Sequence, residues 1–518
     1  MHELLLISDI VENIFQHFGS GSLAVLARTC RAFHEEAVDA LWTQQTTLEN
    51  ILNLLPDDTF RASTADYFDA HYETFDLCRP LQPADWTRAL TYTRRIKILV
   101  LEASEARHSE GYSTWSGFPL KNQVQAISAS FPSSGIIFPN LRHLTWVTNP
   151  YKSDVSHLLV SFLSPNILHL NVGGTLRAAE ALNSGAVLLS NATYIAFRSW
   201  GALPSNTLDK LILSTWNLHS LSLPRIDRII LQHLTQQPSL RYLELYDPEA
   251  GDCGPSDVPL VLHEPPIVSG LISLKLQQTS LKFASELIKL LGPFSSSLKQ
   301  FSISRPDLFK ANELEAFLAT VGSSLKPSTL QKLQIFDSNR LYLLPGEYVE
   351  IQAAMDQYTS DASSLDSLAS FSKLHTLRIA TYTGFRIDDD ALERLAQCWP
   401  NLKSLRLCSM CRKQTPPLTT LAGFFALSQH CPLLEDLTMA VDATDVAPEH
   451  PRPFVKSPLH FLHVKESPID DAEAVAKYLS GTFPALHSVY AYYGGRVLKR
   501  NREAVSKWTE VYYLMAKE

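Results

Sequence analysis

The chain has 518 residues, 45% of them hydrophobic, and a formal net charge of −8. That length has room for several domains or one long repeat array around a large core, and an acidic balance without a long Lys/Arg block argues against a nucleic-acid or anionic-membrane partner. Seven cysteines, an odd number scattered along the chain, suit reduced intracellular thiols; no apolar run is long enough to cross a bilayer, and Leu4-Leu5-Leu6-Ile7 is too short for a signal peptide, so the expected location is cytoplasmic and/or nuclear.

Residues 1–45 carry three short helical patterns. Ile7, Ile10, Val11, Ile14, Phe15 and Phe18 recur at helical spacing, with Ser8 or Asp9 as a cap and Asp9–Glu12 at the offset of a capping box. Gly19-Ser20-Gly21 breaks that pattern. A second follows with Leu23, Leu26, Ala27 and Cys30 on one face, and a third with Phe33, Ala37, Leu41 and Trp42. A unit near 40 residues rarely supports itself without a staple or a partner, and Cys30 has no second cysteine within the segment. Apolar surface is left over, either to dock a partner or to cap a larger domain.

This segment resembles an F-box in Leu6-Ile7-Ser8-Asp9-Ile10, then Ile14-Phe15, Leu23 and Leu26, then Cys30-Arg31-Ala32-Phe33. It departs from the family pattern at Ile7, where proline is usual. F-boxes dock onto the SKP adaptor of cullin-RING ubiquitin ligases. The resemblance implies adaptor contacts at Leu6, Ile10, Ile14, Leu26, Cys30 and Phe33.

Residues 46–95 read as a helical connector. Leu48 to Leu55 is helical in pattern, residues 57–85 are poorly periodic, and Asp85 or Thr87 starts a short helix that packs Trp86 and Leu90 inward. With the F-box-like segment and Leu55-Pro56-Asp57-Asp58, this stretch is similar to a large group of F-box/leucine-rich-repeat proteins of mushroom-forming fungi.

Residues 96–495 repeat one pattern: apolar, two variable, apolar, one variable, apolar. It runs from Ile96-Leu99-Leu101, Leu141-Leu144-Trp146 and Ile167-Leu170-Val172 through Leu240-Leu243-Leu245 and Leu402-Leu405-Leu407 to Leu486-Val489-Ala491. The steps are mostly roughly 22 to 32 residues, in the range of a leucine-rich repeat or slightly longer. Prolines two residues before the first apolar position, as in Pro139-Asn140-Leu141 and Pro400-Asn401-Leu402, end one helix and extend the chain. Asp227, Asp388 and Asp470 stand where a helix N-cap is expected. The predicted class is therefore α/β: an N-terminal three-helix F-box, then an irregular leucine-rich-repeat solenoid with parallel strands on the concave side and helices on the convex side. Asn149 fits the family's asparagine position, which most repeats lack. Residues 358–367 are polar and expected to be mobile. Residues 496–518 read as an amphipathic capping helix through Val505, Trp508, Val511, Tyr512 and Met515.

Chemistry is sparse. Cys408-Ser409-Met410-Cys411 with His430-Cys431 has poor geometry for zinc. Asp388-Asp389-Asp390 suits the first turn of a helix better than a cation. Gly173-Gly174-Thr175 lacks the lysine of a phosphate loop, and no nucleophile elbow or zinc-protease helix is visible. Histidines such as His143 and His169 fall at variable strand positions and read as surface residues. No cofactor, no metal and no enzymatic activity are expected. The resemblance implies a substrate-recognition subunit of an SCF-type ligase, with a target protein held on the strands; a non-ligase repeat scaffold is the alternative. Tyrosine and arginine favour interfaces, so Tyr242, Tyr246, Arg378, Lys403 and Arg406 are the expected target contacts. The last three form a basic stripe suited to an acidic or phosphorylated segment, unless Asp388 to Asp390 merely balance them.

Overall fold

A computed structural model describes residues 8–29, 31–67, 70–102, 105–107, 113–115, 124–125, 127–128, 131, 136–147, 155–199, 201, 203–204, 206–224, 226, 228–246, 270–292, 296–305, 308–337, 355–381, 383–409, 417–446, 457–465, 467–491 and 502–516. The chain divides into two compact units, Met1–Leu240 and Arg241–Glu518.

The first unit begins with helices Ser8–Phe15, Ser20–Thr29 and Arg31–Thr43. Val11, Phe15, Leu23 and Ala37 form their core, and Leu26, Ala27, Phe33, Ala40 and Leu41 pack against it. Phe15 meets Phe33 edge to face at 5.8 Å, an arrangement that adds to simple burial. The chain leaves the third helix as the short strand Gln44–Gln45, which pairs in parallel with Ile98 and Leu99. Strands Ile98–Glu102, His143–Val147, His169–Gly174, Tyr194–Ser199 and Ser220–Pro224 then lie side by side in chain order. Register stacks Leu99, Leu144, Leu170, Ile195 and Leu221 into one column. Each of these side chains is buried, a gain of roughly 1.5–3 kcal/mol apiece.

The second unit repeats the plan. Its strands are Tyr242–Tyr246, Ser273–Gln277, Gln300–Arg305, Lys332–Asp337, Thr376–Thr381, Ser404–Ser409, Asp436–Met439, Phe461–His463 and Ser488–Tyr490, again parallel and in chain order. The buried column runs Leu243, Leu274, Phe301, Leu333, Leu377, Leu405, Leu437, Leu462 and Val489. Helices such as Leu281–Leu291, Ala311–Ser324, Asp389–Cys398, Leu421–His430 and Ala472–Thr482 connect the strands and bury one face each. Both units therefore have the strand-and-helix repeat of a leucine-rich-repeat solenoid. In one repeat the described connection is a 3-10 segment, Ser156–Phe162, and in two others the 3-10 segments Ala186–Leu189 and Ala362–Leu368 follow the helices Leu176–Ser184 and Met355–Tyr358.

The turn before four of the strands holds a device the sequence did not reveal. Its asparagine amide donates to a carbonyl of the preceding repeat: Asn140 to Arg94 at 2.7 Å, Asn166 to Pro139 at 2.7 Å, Asn191 to Pro165 at 3.3 Å and Asn401 to Ser372 at 2.9 Å. Each of these asparagines is thus a rung between repeats, supplying a donor to a turn carbonyl of the repeat before it. Asn149 lies outside the described residues.

Helix starts follow the aspartates with one correction. Asp388 accepts from the Ala391 N–H at 2.9 Å. In the last repeat the cap is Asp471, not Asp470: its carboxylate accepts from the Glu473 and Ala474 N–H groups, both at 3.0 Å. A cap needs extended backbone immediately before the first helical residue, and Asp471 holds that position. Asp227 lies outside the described residues. At the other end of the helix, Trp399, Cys431 and Phe483 hold the same buried C-cap site in three of the repeats.

Three other expectations change. The stretch read as a helical connector contains an antiparallel hairpin, Phe60–Tyr67 with Ala70–Leu77, before the turn Pro83–Trp86 and the helix Thr87–Thr93. Trp86 is buried there, but Leu90 is only half-buried, and Ala89 and Thr93 take the inward positions. Residues 358–367, expected to be mobile, hold the strand Ser360–Asp361, paired with Phe385–Arg386, and the 3-10 segment Ala362–Leu368. Ala362, Leu365 and Leu368 fall three apart and all face inward, because side chains eclipse at that spacing in a 3-10 helix. The Ser364 hydroxyl donates to the Asp361 carbonyl at 2.6 Å. The tail forms the helix Arg502–Met515, with Trp508 and Val511 buried and the Trp508 indole N–H donating to the Ser467 carbonyl at 3.0 Å. Val505 and Met515 are half-buried, and Tyr512 is exposed.

Candidate interaction surfaces

The N-terminal helices use one side for the repeats. Arg95 donates to Glu35 at 2.7 Å and is also paired with Asp39; Lys97 pairs with Glu12 at 3.7 Å, and Trp42 packs on Tyr92 at 4.8 Å. The Arg95 guanidinium holds the Glu35 carboxyl below the usual carboxylate range. The connector is fixed by Arg79, which pairs with Asp58 at 2.7 Å and Asp85 at 2.8 Å. Bonded to Arg79 and to the Gln82 N–H, the Asp85 carboxyl titrates at about 2.

Apolar side chains remain exposed on the first two helices and the turn between them: Ile14 at 39%, Phe18 at 44% and Val25 at 56%. Among the expected adaptor contacts, Ile14 is thus open to solvent and Ile10 half-buried. Leu26 and Phe33 lean onto the helical core, so a partner would meet only part of each. Leu6 and Cys30 lie outside the described residues. Phe18 and Val25 are not among the adaptor contacts that the resemblance implies, although the first helical pattern in the sequence includes Phe18, four residues after Ile14.

Inward positions of the strands are filled by the repeat triplets, so the alternate positions face the other side of each sheet. On the first unit's sheet, His143 and His169 stack at 4.3 Å with an 11° interplanar angle, and His169 stacks on Tyr194 at 5.6 Å. Burial, then the His169 and Arg142 charges, hold the His143 imidazole below its ordinary range.

On the second unit's sheet, Tyr242 is 50% exposed and Tyr246 half-buried. Arg378, Arg406 and Thr438 share one register level on adjacent strands. The expected basic stripe is largely compensated. Arg378 donates to Asp436 at 3.2 Å and to the Ser404 hydroxyl, and Lys403 pairs with Glu435 at 3.3 Å. The balancing carboxylates are therefore Glu435 and Asp436, at the start of the strand Asp436–Met439, not Asp388 to Asp390. Asp388 caps its helix, and Asp389 accepts from the Thr420 N–H at 2.8 Å and its hydroxyl at 2.6 Å, bridging to the next repeat.

The cysteine cluster is divided by the fold. Cys431 is buried at its C-cap site, with its thiol donating to the Ala396 and Trp399 carbonyls at 3.6 Å and burial pushing it up to about 12. Cys408 lies buried in a strand, its thiol also raised by burial. Cys411 lies outside the described residues, and among those described no group of three or more His, Cys, Asp or Glu residues could hold a metal ion. No helix among the described residues is long and apolar enough to cross a membrane.

Comparison with known family models and with curated proteins gives no match. Among solved structures, the chain is similar to one in the crystal structure of the Rad7 and Elc1 complex in yeast, with 14% sequence identity, 81% of each chain covered and a TM-score of 0.36. At that score the likeness carries no weight, and the leucine-rich-repeat reading rests on the chain's own strands, registers and helices.

Proposed function

We propose that this protein is the substrate-recognition subunit of an SCF-type, cullin-RING ubiquitin ligase, acting in the cytoplasm and/or nucleus without catalytic chemistry of its own. The N-terminal helices bind the SKP adaptor, and the outward faces of the repeat sheets hold a target protein. Such a receptor works by proximity, keeping a target lysine near the charged conjugating enzyme. One observation carries the reading. The helices bearing the F-box pattern keep Ile14, Phe18 and Val25 in solvent, while their third helix is occupied with the first repeat. Exposed apolar side chains on a small helical unit suit a helical docking partner.

The test is a calorimetric titration of the full chain with purified SKP adaptor. Truncating an interface anchor typically costs about 2 kcal/mol or more, so Ile10→Ala with Ile14→Ala weakens binding more than tenfold. Adaptor binding that is absent, or unchanged by the double substitution, overturns the proposal. A non-ligase scaffold is the second reading, favoured by the Gln44–Gln45 strand that makes the helices a cover for the sheet edge. On that reading the adaptor does not bind at all.

A further inference from the structure

We propose that Arg406 is the anion-reading residue of the second unit's sheet, taking a carboxylate or phosphate group of a bound peptide. The proposal rests on the reading that this sheet face holds a target. Arg406 plays no part in the adaptor titration, so either idea can fail alone.

The contrast with its neighbours carries the inference. A half-buried guanidinium that gives up water needs an acceptor in return. Other cations of this unit have one: Lys275 pairs with Glu244 at 2.7 Å, Arg305 with Glu313 at 3.0 Å, Arg378 with Asp436 and Lys403 with Glu435. Arg406 is half-buried in the middle of the sheet and has no hydrogen bond or ion pair with the described residues; its Nε lies buried without an acceptor. On the adjoining strand, Asp436 Oδ2 accepts from both Arg378 and the Ser404 hydroxyl, the latter at 3.0 Å, while its Oδ1 is buried without a hydrogen bond to Arg406 or to any other group among the described residues. Arg406 is flanked in register by Arg378 and Thr438, and Lys465 acts with it on the Cys408 thiol. Asp337 opposes these two charges at the thiol, and on the Arg378–Arg406–Thr438 level Arg406 is the arginine without a hydrogen bond or ion pair among the described residues. An arginine fork donates to two oxygens of a carboxylate or phosphate side by side, and outward strand positions leave room for an extended chain to bring one.

The experiment uses the full-length chain on a peptide array in which each random flanking sequence is displayed with glutamine, glutamate or phosphoserine at its centre. Wild type retains the anionic forms over the glutamine form. Arg406→Gln loses that preference by roughly tenfold or more, as expected for a lost hydrogen bond to a charged group. Lys403→Gln, which removes a compensated charge, keeps it. Retention of both anionic forms assigns a general anion site, and retention of phosphoserine alone assigns a phosphate site; either supports the proposal. No anionic preference in wild type, or an undiminished one in Arg406→Gln, overturns it. If Arg406→Gln does not fold, wild-type retention across ionic strength reads the same contact. Screening weakens an exposed charge pairing, and a preference indifferent to salt overturns the proposal.

Discussion

The outward faces of the two sheets differ although their inward faces are interchangeable. Inside, both stack one aliphatic column, from Leu99 to Leu221 in the first unit and from Leu243 to Val489 in the second. Outside, the first sheet carries the stacked rings of His143, His169 and Tyr194, while the second carries cross-strand ion pairs such as Lys275–Glu244 and Arg378–Asp436 and, among the described residues, confines its ring contacts to the last strands, at His460–His487 and Phe461–Tyr490. The column is set by burial, which asks only for apolar side chains of suitable volume. The outward positions are released from that demand, so two repeats of the same backbone can present different chemistry to a partner.

The largest effect should come from the shared column. Leu170→Ala and Leu405→Ala should each cost about 2–5 kcal/mol in denaturant unfolding, since both leucines are fully buried. Tyr242→Ala on the outward face should cost much less. Equal losses at all three positions would break the division between the two faces.

A middle-sized effect is expected between repeats. Asp389→Ala removes two hydrogen bonds to Thr420, each worth about 0.5–1.5 kcal/mol, and leaves the Thr420 N–H without its acceptor. A thermal melt should therefore show a loss of about 1–3 kcal/mol. An unchanged melting temperature would mean that the bridge adds nothing beyond the column.

The smallest effect separates the sheets by pH. The folded His143 imidazole is held below its ordinary value of 6.5, so the unfolded chain takes up that proton first. Its contribution to stability is full above about pH 6.5 and declines as pH falls below that value. His143→Phe should remove this part of the acid-side decline, measured as denaturation midpoints at stepped pH. A variant with the same pH profile as wild type would show that the ring stack bears no proton-linked energy.

These differences also explain what the sequence made legible. The triplets could be read because burial acts on the same three positions in every repeat, and all the strands expected from them formed. The Phe60–Leu77 hairpin could not, because its strands, Arg61-Ala62-Ser63-Thr64 and its partner, lack apolar alternation. The cap moved from Asp470 to Asp471 because two adjacent aspartates leave the helix start open by one residue. At the N-terminal unit, spacing gave the three helices but not which apolar side chains would stay exposed, since that depends on how the third helix meets Arg95 and Tyr92. The basic stripe was read as charge and not as pairing, because Arg378 and Asp436 are 58 residues apart and meet only through the strand register.

The asparagine rungs bear on how such a chain can change length. Asn140, Asn166, Asn191 and Asn401 each tie the turn before a strand to the corresponding turn of the previous repeat. A residue added in that turn would displace its rung and shift the register of the strand behind it. The segments after the strands vary widely in length, from the single residue between Gly174 and Leu176 to the long run between Tyr246 and Ser273, and their ties differ from repeat to repeat, as at Asp389–Thr420 and Ala443–Ile469. Growth of the chain is therefore channelled to one edge of the repeats. An epitope tag or a grafted recognition loop placed after a strand leaves the rungs in step, whereas the same insert before a strand puts every later repeat out of phase.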